Sequence, residues 1–411
     1  MIKKRWQQIK RRIIKRQAPH AILSWRYFLP NQSEAVKLHR RTFLKAWPQY
    51  PRIVWFLIAL YSYPLWYFFY SWRQIARVWT KRSVKLQRQE SISRRQQLFS
   101  ILSLALLHST PPAFYYQYRL YRYPESEWLD FIYTHELPHW HLVMSPKISE
   151  RTHRLMSHKD AFSVEMAKVG LPGIPTLHIL EKNEQLTEAR VFCQQSLFFK
   201  PEQGSRKKGC FELSYDSAQK SYQLKGLGKQ AITTQSQIKE AIDRQVHSQR
   251  YLVQPLLKNH ALLEVYYHSL QLVTIRLITT IVTKQSKAIS GMLEIPIEGS
   301  FNNVYSIDIQ LKDGALNNMD RYYSLAEDAQ IQNILKSKGL ILPFWSELVL
   351  TAEQAHQQFL DIVTIGWDLA ITEQGVVLLE GNVNWGVAVH QYDKNNLIQA
   401  LIANIYSPPH T

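Results

Sequence analysis

Residues Gly366–Asn382 read GWDLAITEQGVVLLEGN. Two apolar arms flank Glu373, Gln374 and Gly375, which is turn chemistry, so the stretch predicts an antiparallel hairpin. With the turn centred on Gln374, Asp368 and Glu380 lie equally far from it and fall opposite each other. Side chains alternate faces along a strand, so Glu380 shares a face with Asn382 and, across the ladder, with Asp368. Two carboxylates that close repel unless a cation lies between them, and a set made only of oxygens suits Mg2+ or Mn2+ better than zinc. The alternative is an ordinary hairpin whose polar residues face water, and the rest of the chain has to decide between the two.

The chain has 411 residues, enough to bury a sizeable core and to form two or three structural units. Its formal net charge is +18, and the charge is unevenly placed. Residues 1–100 carry 22 Lys and Arg against only Glu34 and Glu90, whereas the other 311 residues carry 28 basic and 30 acidic side chains. A nearly neutral body argues against a groove that tracks nucleic acid across the fold. Two cysteines, Cys193 and Cys210, are too few for a disulfide framework and lack metal spacing. They fit unreactive residues in a reducing cytosol, and the basic start lacks the apolar core of a signal peptide.

Between Arg52 and Arg73 lies IVWFLIALYSYPLWYFFYSW, uncharged and half aromatic. That length could cross a bilayer, but Pro64 interrupts it and Trp and Tyr favour the headgroup zone. Basic residues crowd both flanks, so a single span puts one cationic flank on the wrong side. The segment is therefore expected to form an in-plane helix pair or a shallow re-entrant hairpin on an anionic membrane surface; a true span and a buried aromatic core element are the alternatives. The leading residues IKKRWQQIKRRIIKR place Ile2, Trp6, Ile9, Ile13 and Ile14 on one helical side, as interfacial helices do. LFSILSLALL, residues 98–107, is too short to cross and reads as a core helix.

From about Arg151 the pattern changes to alternating helices and strands. SHKDAFSVEMAKVGLPGIPT reads as a helix capped by Ser157 and stopped by Gly170 and Pro172. SLFFKPEQGSRKKGCFELSYD reads as a strand ending at Lys200, a loop with Gly204, Ser205 and Gly209, and a second strand. Glycines let backbone N–H groups close on an anion, with Lys200, Arg206, Lys207 and Lys208 beside it, although such turns are often only solvated surface. YLVQPLL from Tyr251 is a buried strand, and LQLVTIRLITTIVT is a longer one with Arg276 in its middle. A guanidinium inside an apolar strand must meet a carboxylate or a phosphate.

The order of Lys159, FFKPEQGSRKKG, YLVQPLL, TIRLIT, FNN, PFW and finally GWDLAITEQGVVLLEGN resembles the ATP-grasp superfamily, specifically its sugar-transfer-associated branch. The resemblance covers about Arg151–Gln391 and implies an α+β, two-lobed fold that clamps ATP between its lobes. It implies adenine at Gln254, Pro255, Leu256 and Leu257, and phosphates under the loop Gly204–Gly209, with Lys159 and Lys200 neutralising them. Arg276 matches a basic residue near the γ-phosphate, Asp368, Glu380 and Asn382 match metal ligands, and Asn303 matches a position on the substrate side. Two departures are that Gln254 stands where many relatives have Glu, and that Arg206–Lys208 enlarge the loop beside Ser205. The division expected is a basic, aromatic, helical region over 1–97, a helical connection over 98–150, and lobes over 151–250 and 251–411. The implied activity is a carboxylate–amine ligation through an acyl phosphate, on a carboxylate-bearing or saccharide acceptor, at the cytoplasmic face of the membrane. A kinase-like phosphotransferase and a non-catalytic membrane scaffold are the rival classes. HELPH, His135–His139, has the spacing of a two-histidine zinc motif, but a proline inside it opposes the helix that motif needs.

Overall fold

The computed structural model describes residues 19, 21–45, 52–145, 147–184, 187–202, 209–227, 231–267, 271–297, 304–317, 337, 339–391 and 396–405. The leading segment 1–18, the loop residues Gly204, Ser205, Arg206, Lys207 and Lys208, and Asn302 and Asn303 lie outside the described residues. The chain forms two compact units, residues 1–146 with 384–411, and residues 147–383.

The first unit is helical. Its core gathers Trp66, Ile101, Leu104, Tyr115, Tyr118 and Phe131, with rings in edge and stacked contact, such as Tyr118 and Phe131 at 5.6 Å. Residues 98–107 fall in the helix Arg94–Leu107, whose Ser93 hydroxyl accepts from the Gln96 N–H, and Ile101, Leu104 and Ala105 are buried as a core helix requires. The expected helix pair or hairpin is corrected: helix Arg52–Leu65, a π-helical turn Trp66–Tyr70 and helix Ser71–Glu90 follow one another without a break. Pro64 removes one backbone donor and crowds the carbonyl four residues earlier, and the wide π-turn that follows keeps the chain helical, with right-handed φ and ψ at Leu65 and Ser71. No helix among the described residues is long and apolar enough to cross a membrane. Pro138 does not break a helix either. It sits in the first turn of helix Leu137–Met144, where its missing donor costs nothing, and His135 lies in the turn before that helix.

The second unit is α+β, with two antiparallel sheets. The smaller lobe orders its strands β1 (His178–Leu180), β5 (Tyr251–Pro255), β2 (Leu197–Pro201), β3 (Phe211–Asp216) and β4 (Ser221–Lys225). The larger lobe orders β10 (Gly375–Asn382), β9 (Thr364–Thr372), β6 (Thr274–Val282), β7 (Gln285–Pro296) and β8 (Val304–Ile309). Each sheet buries one face in its own apolar cluster. Leu197, Phe199, Tyr251 and Val253 fill the smaller core, and Ile275, Leu277, Leu293, Trp367 and Leu369 the larger one. Period-two alternation then puts the charged residues of the strands, Lys200 in the smaller sheet and Arg276 and Asp368 in the larger, on the other face.

The helix expected to begin at a Ser157 cap is Lys159–Lys168 with His158, in extended conformation, at its cap position, and Ser157 instead ends a preceding helix, Glu150–Ser157. Ser149 caps that preceding helix by accepting from the Thr152 N–H, which carries it through Ser157. The stop is as read: Gly170 takes φ +73°, and the Leu171 N–H donates back to the Met166 carbonyl at 3.0 Å.

Candidate functional site

The Gly366–Asn382 hairpin brings Asp368 opposite Glu380, by a route the sequence reading did not foresee. Its turn is the two residues Glu373 and Gln374, closed by Thr372 opposite Gly375, which takes φ +107°. In that register Leu379 falls opposite Asp368, and Glu380 turns toward the core. A β-bulge between Leu378 and Glu380 inserts one residue, so Leu378 stays opposite Leu369 while Glu380 moves opposite Asp368 and Asn382 opposite Gly366. The turn was expected one residue too wide, and the bulge supplies that residue. Leu378 N–H donates outward to the Pro172 carbonyl at 2.6 Å, which ties β10 down at the point of the irregularity.

Asp368, Glu380 and Asn382 then share one face. The Asn382 amide donates to Asp368 Oδ2 at 3.2 Å and to Glu380 Oε1 at 3.4 Å. Cross-strand register extends this row over the whole sheet as Glu380, Asp368, Arg276, Met292 and Asp308. Arg276 donates to both oxygens of Asp368, at 2.7 and 3.0 Å, and lies 3.3 Å from Glu294. The guanidinium thus meets the carboxylate its burial demands. Glu294 was missed in the sequence, yet it carried a signal like that of Arg276: one charge inside the apolar stretch Gly291–Ile297, opposite Thr274 on the adjoining strand.

From the smaller sheet, alternation puts Phe198 and Lys200 of β2 and Leu252 and Gln254 of β5 on the face away from its core. Lys200 Nζ lies 3.4 Å from Glu380 Oε2, so the two sheets' polar faces meet there. Lys159, the first residue of its helix, donates to the Pro201 carbonyl at 3.4 Å. Burial lowers the Lys159 ammonium below its ordinary range, and Lys200 adds to the effect. Burial alone would raise the Glu380 carboxyl, but Lys200 and Lys159 bring it below its usual value. Asp368 moves the other way, raised by burial against the pull of Arg276. The two neighbouring acids are thereby shifted in opposite directions.

Gln254 is buried, and its Oε1 has no hydrogen-bond partner among the described residues. An orphaned buried acceptor on the face away from the core could take a hydrogen bond from a ligand donor such as an exocyclic amine. Pro255 has no N–H, and the Leu256 N–H is committed to the Ser196 carbonyl at 2.9 Å, so those two offer shape and carbonyls instead of donors. Gly209 takes φ +78° at the end of the loop, and the Tyr251 hydroxyl donates to its carbonyl at 3.0 Å. The donor set Asp368, Glu380 and Asn382 fits a hard divalent cation: two carboxylates already held together by one amide, with no sulfur or imidazole among them. A second cluster, His158, Asp160 and Glu202, has metal-like spacing. Arg250 lies within it, 3.6 Å from Asp160 and closer to Glu202, as Arg276 lies against Asp368 in the first.

No curated protein matches the sequence. Among solved structures, the chain is similar to an ATP-grasp ligase, PsnB, complexed with a precursor variant, Mg and ADP (13% identity, 66% of each chain covered, TM-score 0.34). It is similar to a D-alanyl-alanine synthetase A from Vibrio cholerae (16%, 62% of this chain and 66% of that one, 0.34) and to a D-alanine–D-alanine ligase from Helicobacter pylori (13%, 62% and 63%, 0.36). The chain spans just under two thirds of these structures' length, and scores this low leave the family to be decided by the sequence match. Residues 146–405 match the family described as sugar-transfer associated ATP-grasp, and with well over half of its length inside that match the chain belongs to this ATP-grasp family.

Proposed function

We propose that the protein is an ATP- and Mg2+- (or Mn2+-) dependent ligase that joins a carboxylate to an amine through an acyl phosphate. The observation that carries this reading is the 3.4 Å approach of Lys200 to Glu380, which joins the cationic face of one sheet to the acidic row of the other. Asp368, Glu380 and Asn382 hold the divalent ion, which when bound offsets charge on the β- and γ-phosphates. Lys159 and Lys200 bind phosphate oxygens, and Arg276 and Lys200 face the charge that spreads as the γ-phosphoryl moves. Gln254 Oε1 accepts from the adenine amine, Pro255 and Leu256 flank the ring, and the family resemblance assigns Gly204, Ser205 and Gly209 to the phosphates.

A carboxylate oxygen of the acceptor attacks the γ-phosphorus, the bond to the β–γ bridging oxygen breaks, and ADP leaves. The amine nitrogen then attacks the acyl carbon, phosphate departs with the bonding pair, and the nitrogen loses a proton. Arg276 keeps its charge throughout, because Asp368 and Glu294 oppose what burial costs it. Exclusion of water protects the acyl phosphate and strengthens each of these contacts.

The acceptor class, a saccharide or its carboxylated precursor in surface polysaccharide synthesis, follows from the family description alone. We place the protein peripherally on the cytoplasmic face of the membrane. ADP release against a panel of carboxylated sugars and amines tests the reaction, with hydroxylamine added to trap an acyl phosphate as a hydroxamate. Lys200→Ala and the double variant Asp368→Ala, Glu380→Ala abolish ADP release while circular dichroism stays unchanged. Ordinary turnover by the folded double variant refutes the reading, and ADP release with a phosphorylated hydroxyl and no hydroxamate assigns the site to phosphotransfer.

A further inference from the structure

Two carboxylates divide the guanidinium of Arg276. Its Nε and Nη2 donate to the two oxygens of Asp368 at 2.7 and 3.0 Å, while its Nη1 lies 3.3 Å from Glu294 Oε1. The first contact is closed. The second is open by about half an ångström against the usual N–H···O⁻ length of about 2.7–2.9 Å. The strand order explains the pair: β6 lies between β9 and β7, with Arg276 directly opposite Asp368 on one side and diagonal to Glu294 on the other, where Glu294 faces Thr274. Among the described residues, Arg276 is the only ion-pair partner of Glu294. The Glu294 and Asp368 side chains are only 12% and 13% exposed. Neutralising Arg276 needs one acid, which Asp368 supplies at two points, and burying a second acid on the same cation costs free energy.

Asp368 is also a ligand in the ion site proposed above, and its oxygens are nearly spent. Oδ2 accepts from Arg276 and from the Asn382 amide at 3.2 Å, and Oδ1 accepts from Arg276. A carboxylate offers about four lone-pair sites, so about one is left for an ion. A guanidinium held on the same carboxylate would also repel that ion at close range. Glu294 is the other carboxylate within reach of Arg276. We infer that Glu294 is a positioning residue, which receives the Arg276 guanidinium when Asp368 gives its oxygens to the divalent ion. Arg276 thereby stays paired and in the site without competing for Asp368. This role rests on the ion site of the proposed function and adds to it the acid that sets how tightly the ion is held.

The test is the Mn2+ concentration at which the full chain half-maximally binds trinitrophenyl-ATP, followed by fluorescence and needing no turnover. Glu294→Gln raises this midpoint roughly tenfold, because Arg276 then stays on Asp368, and it leaves Tm unchanged. A residue that served only as counter-ion would do the reverse: its loss would lower Tm and leave the midpoint alone. A double-mutant cycle separates positioning from the Glu294 charge acting through space. In an Arg276→Met chain, Glu294→Gln shifts the midpoint by a factor at least about three smaller than in the wild type. Should circular dichroism show Arg276→Met unfolded, Arg276→Lys, which cannot hold Asp368 at two points, takes its place. Equal shifts in the two backgrounds overturn the inference, as does a wild-type midpoint in Glu294→Gln. Wild-type binding of trinitrophenyl-ATP that needs no Mn2+ overturns the ion site, and the role of Glu294 with it.

Discussion

Gly381 sits between Glu380 and Asn382, the two residues of β10 proposed to hold the ion, opposite Trp367 on the core side of the hairpin. A Cβ placed there would lie 2.7 Å from Trp367 Cζ3 and 3.2 Å from Met156 Sδ. Space, and not a left-handed φ, is what demands glycine at this position. The indole cannot retreat: it is fully buried against Phe162 and Phe359, and its Nε1–H donates to the Thr279 hydroxyl at 2.8 Å. Gly381→Ala therefore pushes β10 outward by several tenths of an ångström, at an overpacking cost of about 1–3 kcal/mol. For a unit of this size that lowers Tm by roughly 2–10 °C. Glu380 and Asn382 move with the strand, and misplacement on this scale costs roughly 10- to 100-fold in turnover. Differential scanning fluorimetry and ADP release measure the two effects, with Gly386→Ala, whose added methyl meets nothing within 4 Å, as the neutral control. A Gly381→Ala protein with wild-type Tm and turnover refutes the claim that the bulged strand is locked against Trp367.

Three further outcomes are expected. Arg276→Met leaves Asp368 and Glu294 buried without their counter-ion and destabilises the second unit by about 3 kcal/mol, read as a lowered urea midpoint; Asp368→Asn in the same chain recovers part of that loss. Gln254→Leu raises KM for ATP roughly tenfold and leaves Tm equal or higher, since it deletes an acceptor that no described residue pairs; unchanged KM removes Gln254 from the nucleotide site. His356 accepts from the Thr279 hydroxyl at Nδ1, at 2.6 Å, and donates from Nε2 to the Ile362 carbonyl at 2.9 Å, while burial lowers it to about 4. Its neutral form is the one that fits. The contribution is complete above the unfolded value near 6.5 and is lost as pH falls toward 4, about 3 kcal/mol in all. Urea midpoints between pH 7.5 and 4.5 show this slope in the wild type and a flatter one in His356→Gln; equal slopes contradict it.

Much of the catalytic body was legible because apolar alternation and turn residues are local. The strands around Lys200, Gln254, Arg276 and Asp368 were all read from five to nine residues of pattern. So was the demand that Arg276 find a carboxylate, since the cost of burying an unpaired guanidinium does not depend on the fold. Glu294 escaped notice for want of one piece of information, that β7 is the strand beside β6. The helix cap, at His158 and not Ser157, and the uninterrupted run through Pro64 were misread. Both turn on how neighbouring elements satisfy or crowd a few backbone groups, which no local propensity records.

The sequence by itself determined the charge imbalance of the first hundred residues and the family, and it singled out Asp368, Glu380, Asn382, Arg276 and Lys200 as the residues to look for. What only the tertiary structure decided is which way Glu380 points. A regular two-residue hairpin would have aimed it at Trp367 and left Leu379 against Asp368, because one residue of slip exchanges the faces of a strand. The bulge at Leu379, pinned through Leu378 to Pro172 and seated by Gly381 on Trp367, reverses that, and each of those partners lies far away in sequence or across the ladder.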